Sequence, residues 1–244
     1  EVRAHLAREL GLAEPDITWH VARDGLAEAV QLLALVTGSL AKIATDIMLL
    51  MTTEVAEVAE PFVSHRGGSS TMPQKRNPIS CELMVAAHRI VRQSAGLMLD
   101  AMAADLERAT GPWHLEWAAV PEAFIATSGA LEQAKFVLAG LEVDETRMRK
   151  NLDMTGGLIV AEAVMMGLAP FLGRNEAHDI VYAACRAALQ NATTLREELL
   201  KQKAVTDKLS EAEIARLVEP SGYLGSAGAM VDRVLAREAR NRAS

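Results

Sequence analysis

LAEAVQLLALVTGSLAKIATDIMLLM, residues 26–51, decides the fold class. Leu26, Val30, Leu33, Val36, Leu40, Ile43, Ile47 and Leu50 recur at intervals of three or four, the repeat of one face of an α-helix. No proline interrupts the chain between Pro15 and Pro61, so the pattern predicts a helix starting near Asp16 or Thr18 and running towards Pro61. Such a helix has about 35 residues and spans roughly 50 Å at ~1.5 Å per residue. That is about three times the average helix, a length typical of bundle members. Glu28, Lys42 and Asp46 interrupt the stretch, which leaves it short of the ~18 apolar residues of a membrane helix; no span is expected.

Two more long helices follow. One is predicted over residues 79–108, with Leu83, Ile90, Val91, Leu97 and Met98 on its buried side, stopping before Gly111-Pro112. The next is predicted over 117–140, with Pro121 tolerated in its first turns. Three long helices joined by loops make a bundle. Upstream, EVRAHLAREL reads as a helix closed by Gly11; because the sequence opens inside it on Glu1 rather than Met, it reads as beginning partway through a longer natural chain. Beyond Asp144 the helical pieces shorten, broken by Gly156-Gly157, Pro170, Gly173 and Pro220-Ser221-Gly222. The expectation is an all-α fold in two domains: a long-helix bundle over residues 1–143 and a smaller helical domain over 144–244.

Composition agrees. Half the chain is hydrophobic and only 4% is aromatic, which argues against both a disordered chain and an all-β fold. The net charge is −7 and the only dense basic run is the RVLAREARNR tail, so neither nucleic acid nor an anionic membrane is an expected partner. Cys81 and Cys185 stand alone, without CxxC or Cys/His spacing. That usage suits a reducing cytoplasm, and no residue spacing calls for a metal or another cofactor.

The chemistry concentrates in Gly67-Gly68-Ser69-Ser70-Thr71-Met72-Pro73-Gln74-Lys75-Arg76-Asn77-Pro78. Two glycines permit unusual backbone angles, Ser69, Ser70 and Thr71 offer hydroxyls, and Lys75 and Asn77 can grip a carboxylate. The glycine spacing and the missing GK[ST] ending exclude a phosphate-binding Walker loop.

This loop resembles the signature GSSxMPxKxNP of the fumarase/aspartase superfamily at every fixed position. The resemblance implies a central bundle of very long helices, a small helical C-terminal domain and a homotetramer with composite active sites. It also implies an enzyme that forms or breaks a bond β to a carboxylate of a small polycarboxylate substrate, through an aci-carboxylate intermediate. Carried over by position, Ser69 is the catalytic acid or base at carbon, a role that needs nearby N–H groups and positive charge. Lys75 and Asn77 would bind the substrate carboxylate, and Ser70, Thr71 and Met72 would add backbone or hydroxyl donors. Glu82, seven residues past Lys75, would orient a histidine that serves as the second acid/base group.

Two further segments point to a branch. Trp19-His20-Val21-Ala22-Arg23-Asp24 resembles the WHxxRD segment of the 3-carboxy-cis,cis-muconate cycloisomerases, with His20 and Arg23 read as capping or pairing residues at a helix start. Trp113-His114-Leu115-Glu116-Trp117 is similar to their WHxEW form, and His114 is a candidate substrate contact. Adenylosuccinate lyases resemble WHxERD at the second site, where an arginine helps hold a phosphate; this chain has Trp117 and Ala118 there, a poor phosphate site. The implied reaction is metal-independent lactonisation in the protocatechuate branch of aromatic breakdown. An adenylosuccinate lyase-type reaction is the alternative. A purely structural homologue is a second, disfavoured by the presence of Ser69 and Lys75. The family's histidine-bearing and threonine/serine-bearing segments have no match here, so the resemblance implies that this chain alone is inactive.

Overall fold

A computed structural model describes residues 1–17, 19–64, 66–69, 71–72 and 74–243. The chain forms two compact units, Glu1–Asp144 and Glu145–Ser244.

The first unit opens with α1, Val2–Leu10, which ends where Gly11 turns left-handed at φ 64°. Helix α2, Asp24–Leu50, is shorter at both ends than the periodicity predicts. Asp16 and Ile17 lie in a bend, Thr18 lies outside the described residues, and Trp19 begins a turn closed by the Ala22 amide. At the far end Ala56 turns left-handed at φ 52°, and the Glu57 amide bonds back to the Leu50 carbonyl at 2.9 Å. The apolar repeat runs on, but Val58 has a different partner: β1, Val58–Ala59, pairs antiparallel with β2, Glu142–Val143, Val58 facing Val143.

Helix α3 spans Ile79–Met102, ending before the predicted residue 108. Leu106 and Ala109 take left-handed angles, and Asp105 pins the turn by accepting the Thr110 amide at 2.7 Å and its hydroxyl at 2.9 Å. Helix α4, Pro112–Ala139, starts earlier than the predicted residue 117 because Pro112 takes the first turn, where its missing N–H is harmless. Pro121 therefore sits in the helix interior, on an exposed face.

Helix α2 runs antiparallel to α3. Gln31 donates to the Ala95 carbonyl at 3.0 Å, and Thr37 Oγ1 lies 3.4 Å from His88 Nδ1. The seam among α2, α3 and α4 is built mostly from small residues, with Ala27, Val30, Val91, Ala95, Met98, Ala101, Ala119 and Ala123 forming one buried cluster. By length and composition α2 is apolar enough to cross a membrane, despite the charges of Asp24, Glu28, Lys42 and Asp46. Ala27, Val30, Thr37, Ala41, Ala44 and Ile47 are nonetheless buried, one face of the helix packed within the bundle.

Of the residues expected on the buried side of α3, Val91 and Met98 are buried. Leu83, Ile90 and Leu97 remain 50%, 43% and 39% exposed. Their spacing of seven forms a second apolar stripe beside the alanine-rich seam. Trp117, Phe124, Leu131 and Leu138 make an equivalent exposed stripe on α4.

The second unit contains α5 (Glu145–Asp153), α6 (Ala161–Leu172), α7 (Arg174–Asn191), α8 (Leu195–Leu200), α9 (Lys203–Thr206), α10 (Glu211–Leu217) and α11 (Ala227–Ala243). Val164, Leu168, Val181, Leu195, Leu199 and Ile214 form its core. Thr194 with Glu197 and Ser210 with Glu213 close reciprocal capping boxes on α8 and α10. Among the described residues the fold is all-α apart from the short β1–β2 ladder.

Candidate active site

The loop between Gly67 and Asn77 has a closed base. The Asn77 amide and its side-chain Nδ2 both donate to the Gly67 carbonyl, each at 2.9 Å. Gly67 adopts φ +71°, and a Cβ there would lie 2.8 Å from the Asn77 carbonyl oxygen, so only glycine fits. Part of the carboxylate-gripping capacity read into Asn77 is thus spent on holding the loop shut.

Inside the loop, Ser69 Oγ accepts the Thr71 amide at 3.3 Å and the Met72 amide at 3.2 Å, and lies 3.3 Å from Thr71 Oγ1. Two backbone N–H groups aimed at one hydroxyl oxygen can stabilise negative charge there. Lys75 is exposed, and among the described residues nothing pairs with its ammonium. Ser70, His65 and Pro73 lie outside the described residues.

Four residues that sequence reasoning missed hold the loop's two stalks. Glu60 is 6% exposed; its carboxylate accepts the Ser80 amide at 3.2 Å and the Cys81 amide at 2.8 Å. It thereby caps α3, whose N-cap residue, Pro78, has no side chain for the task. Burial, reinforced by Glu60, pushes the Cys81 thiol well up, which keeps it a packed neutral group. Arg66 donates to Ser80 Oγ and Gln133 Oε1 and lies 4.6 Å over the Phe136 ring. Arg76 forks onto Glu142 at 2.8 and 3.0 Å and also reaches the Glu60 carbonyl. Its hydrogen bond lowers the Glu142 carboxyl below its usual range. The one legible signal was Pro78, a helix start that needs an acceptor from elsewhere.

Glu82 stands exposed on the first turn of α3, and His114 is exposed near the start of α4, its ring 4.7 Å from that of Trp117. Among the described residues, no hydrogen bond, ion pair or ring contact joins either one to the loop. Arg66 ties the loop to Gln133, and from there back to His114 is about 29 Å of helix at ~1.5 Å per residue. Within one chain, the loop and the WHLEW segment occupy opposite ends of the bundle.

The two tryptophan-histidine segments do meet. His20 packs edge-on against Trp113 with centroids 5.0 Å apart. Arg23, at the N-cap of α2, lies 3.1 Å from Glu116, their side chains 10% and 13% exposed. The approach is an ion contact without hydrogen-bond alignment, since Glu116 Oε2 and His20 Nε2 are buried with no hydrogen-bond partner among the described residues. With Arg3, Pro15 and Trp19 they line a cleft of about 490 Å³.

This signature loop on a long-helix bundle has the sequence and fold of the fumarase/aspartase superfamily. Residues 1–92 match the lyase family model and residues 157–234 the adenylosuccinate lyase C-terminus model. The chain is 50% identical to trans-aconitate decarboxylase 1 of Mycosarcoma maydis over 95% of its length and 47% of that protein. It is 47% identical to the 3-carboxy-cis,cis-muconate cycloisomerase of Pseudomonas aeruginosa over 96% of its length and 51% of that enzyme. A crystal structure of a fumarate lyase from Mesorhizobium sp. BNC1 superposes with a TM-score of 0.87 at 57% identity, covering 96% of this chain and 52% of that one. The chain therefore spans about half the length of the relatives it matches.

Proposed function

We propose that the protein containing this chain lactonises 3-carboxy-cis,cis-muconate to 4-carboxymuconolactone, as a cytoplasmic homotetramer with composite active sites. The observation that carries this reading is the pair of amides, from Thr71 and Met72, directed at Ser69 Oγ. One substrate carboxylate oxygen forms a C–O bond to the distant double bond, and the π pair moves onto the neighbouring carbon as an aci-carboxylate. The Ser69 hydroxyl delivers its proton to that carbon, and the amides hold the alkoxide until solvent returns a proton. Lys75 grips the charged carboxylate; Asn77 has one side-chain N–H left to donate beyond its bond to Gly67. Ser70 and the Thr71 hydroxyl supply further donors, Met72 contributes through the amide aimed at Ser69, and His114 is a substrate contact.

The separation of the loop from His114 by most of the length of α4 supports a site shared between copies, because one chain cannot bring both to one small molecule. The exposed stripes on α3 and α4 support assembly, since a monomer would leave them in water. In that assembly Glu82 orients a histidine contributed from elsewhere. The 47% identity to a muconate cycloisomerase and the Trp117-Ala118 pair support the muconate over adenylosuccinate. The 50% identity to a trans-aconitate decarboxylase favours a second reading, action on a smaller unsaturated tricarboxylate.

The test is turnover by the complete natural protein of 3-carboxy-cis,cis-muconate, trans-aconitate and adenylosuccinate in parallel. Loss of the muconate's ultraviolet absorbance with little change in the others is the expected result. Preferential consumption of either other substrate overturns the muconate reading.

A further inference from the structure

We infer that Arg76 is a positioning residue for the loop, acting through its ion pair with Glu142; this rests on the reading of the loop as catalytic. Arg76 neighbours Lys75 in sequence, yet the two side chains have opposite fates. Lys75 is exposed with no partner among the described residues. Arg76 is held four ways: two bonds to Glu142 at 2.8 and 3.0 Å, one to the Glu60 carbonyl, and its guanidinium carbon 5.7 Å from the centroid of the Phe62 ring.

Both acceptors stand in or next to the ladder that joins the ends of α2 and α4. Glu142 lies on β2, and Glu60 directly follows β1. Glu142 Oε1 also accepts the Phe62 amide at 3.2 Å, so the carboxylate ties the chain leading into the loop to the chain leading out of it. The Gly67–Asn77 closure fixes the loop's width, and the Arg76 fork fixes where its outgoing stalk stands on the bundle. Anchoring Arg76 against the ladder leaves its neighbour Lys75 exposed to solvent. A planar fork suits this task, because two parallel hydrogen bonds set orientation as well as distance.

The pair is partly exposed, at 37% for Arg76 and 49% for Glu142. Exposed pairs contribute little to global stability. The signature of positioning is therefore a loss of turnover out of proportion to any loss of stability, and non-additivity between the two partners.

The experiment compares Arg76→Met, Glu142→Ala and the double variant in the complete protein, reading kcat, KM, melting temperature and hydrogen–deuterium exchange of peptides covering residues 67–77. The inference predicts that each single variant lowers kcat by about tenfold or more and speeds loop exchange about tenfold. Exchange in α2 and α4 stays as in wild type, and the double variant is no worse than Arg76→Met. Unchanged loop exchange, or kcat losses that multiply in the double variant, overturns it. Should the wild type not turn over the muconate, the proposed reaction falls, and the exchange comparison still decides the positioning role. Glu142→Ala serves if Arg76→Met does not fold.

Discussion

Asn77 closes the signature loop on a single atom, the Gly67 carbonyl oxygen, by giving it both its backbone and its side-chain N–H. The excursion that carries Ser69 and Lys75 thus springs from a base whose two ends cannot drift apart, with the Glu60 cap and the two arginine anchors beside it. Chemistry that depends on a serine hydroxyl needs this kind of preorganisation, because donors that must first be gathered have already cost their stabilisation.

Gly67→Ala tests the closure. The new Cβ would sit 2.8 Å from the Asn77 carbonyl oxygen in a left-handed backbone, a strain of about 1–3 kcal/mol. A lower melting temperature together with weaker turnover is expected. A variant as stable and active as wild type would show that the loop base is not closed in solution.

Arg23 and Glu116 form a largely buried pair, with side chains 10% and 13% exposed, so breaking one side costs more than removing both. Arg23→Met, which strands the Glu116 carboxylate, is expected to destabilise by about 3–5 kcal/mol, and Arg23→Met with Glu116→Leu to recover most of that. Urea denaturation of the three proteins checks it; equal losses in the single and double variants would mean the pair is solvated.

In the second unit, Lys201, Thr193 and Asn191 hydrogen-bond the Glu198 carboxylate and hold its pKa down at about 2. A carboxylate depressed in the folded state stabilises above its unfolded pKa, and that contribution is lost as pH falls from about 4.5 towards 2. Glu198→Gln should therefore flatten the acid limb of the stability curve in that window and leave its shape above pH 5 unchanged. An acid limb identical to wild type would remove Glu198 from the account.

The stripe of Leu83, Ile90 and Leu97 is expected to lie between copies. Ile90→Asp should shift the complete protein to smaller species in sedimentation while its helical circular dichroism persists. An unchanged sedimentation coefficient would place the interface elsewhere.

Much of this was legible in the sequence. The repeat from Leu26 to Leu50 gave the bundle, and the Gly67–Pro78 string gave the family. Helix ends were less legible, because they are set by partners far along the chain: Val58 leaves the helical pattern to pair with Val143, 85 residues on. The buried side of α3 was misjudged for a related reason. Periodicity finds apolar residues without saying which stripe meets its own chain, and here the alanines fill the seam while Leu83, Ile90 and Leu97 face outward. Glu60, Arg66 and Glu142 carry no motif of their own; only folding brings them to the loop.

The most direct test of the central claim is the rate of muconate absorbance loss by the complete protein, wild type against Ser69→Ala, at matched melting temperature. The account predicts that kcat falls by at least about 100-fold in the variant. A Ser69→Ala protein that lactonises 3-carboxy-cis,cis-muconate at the wild-type rate would contradict it.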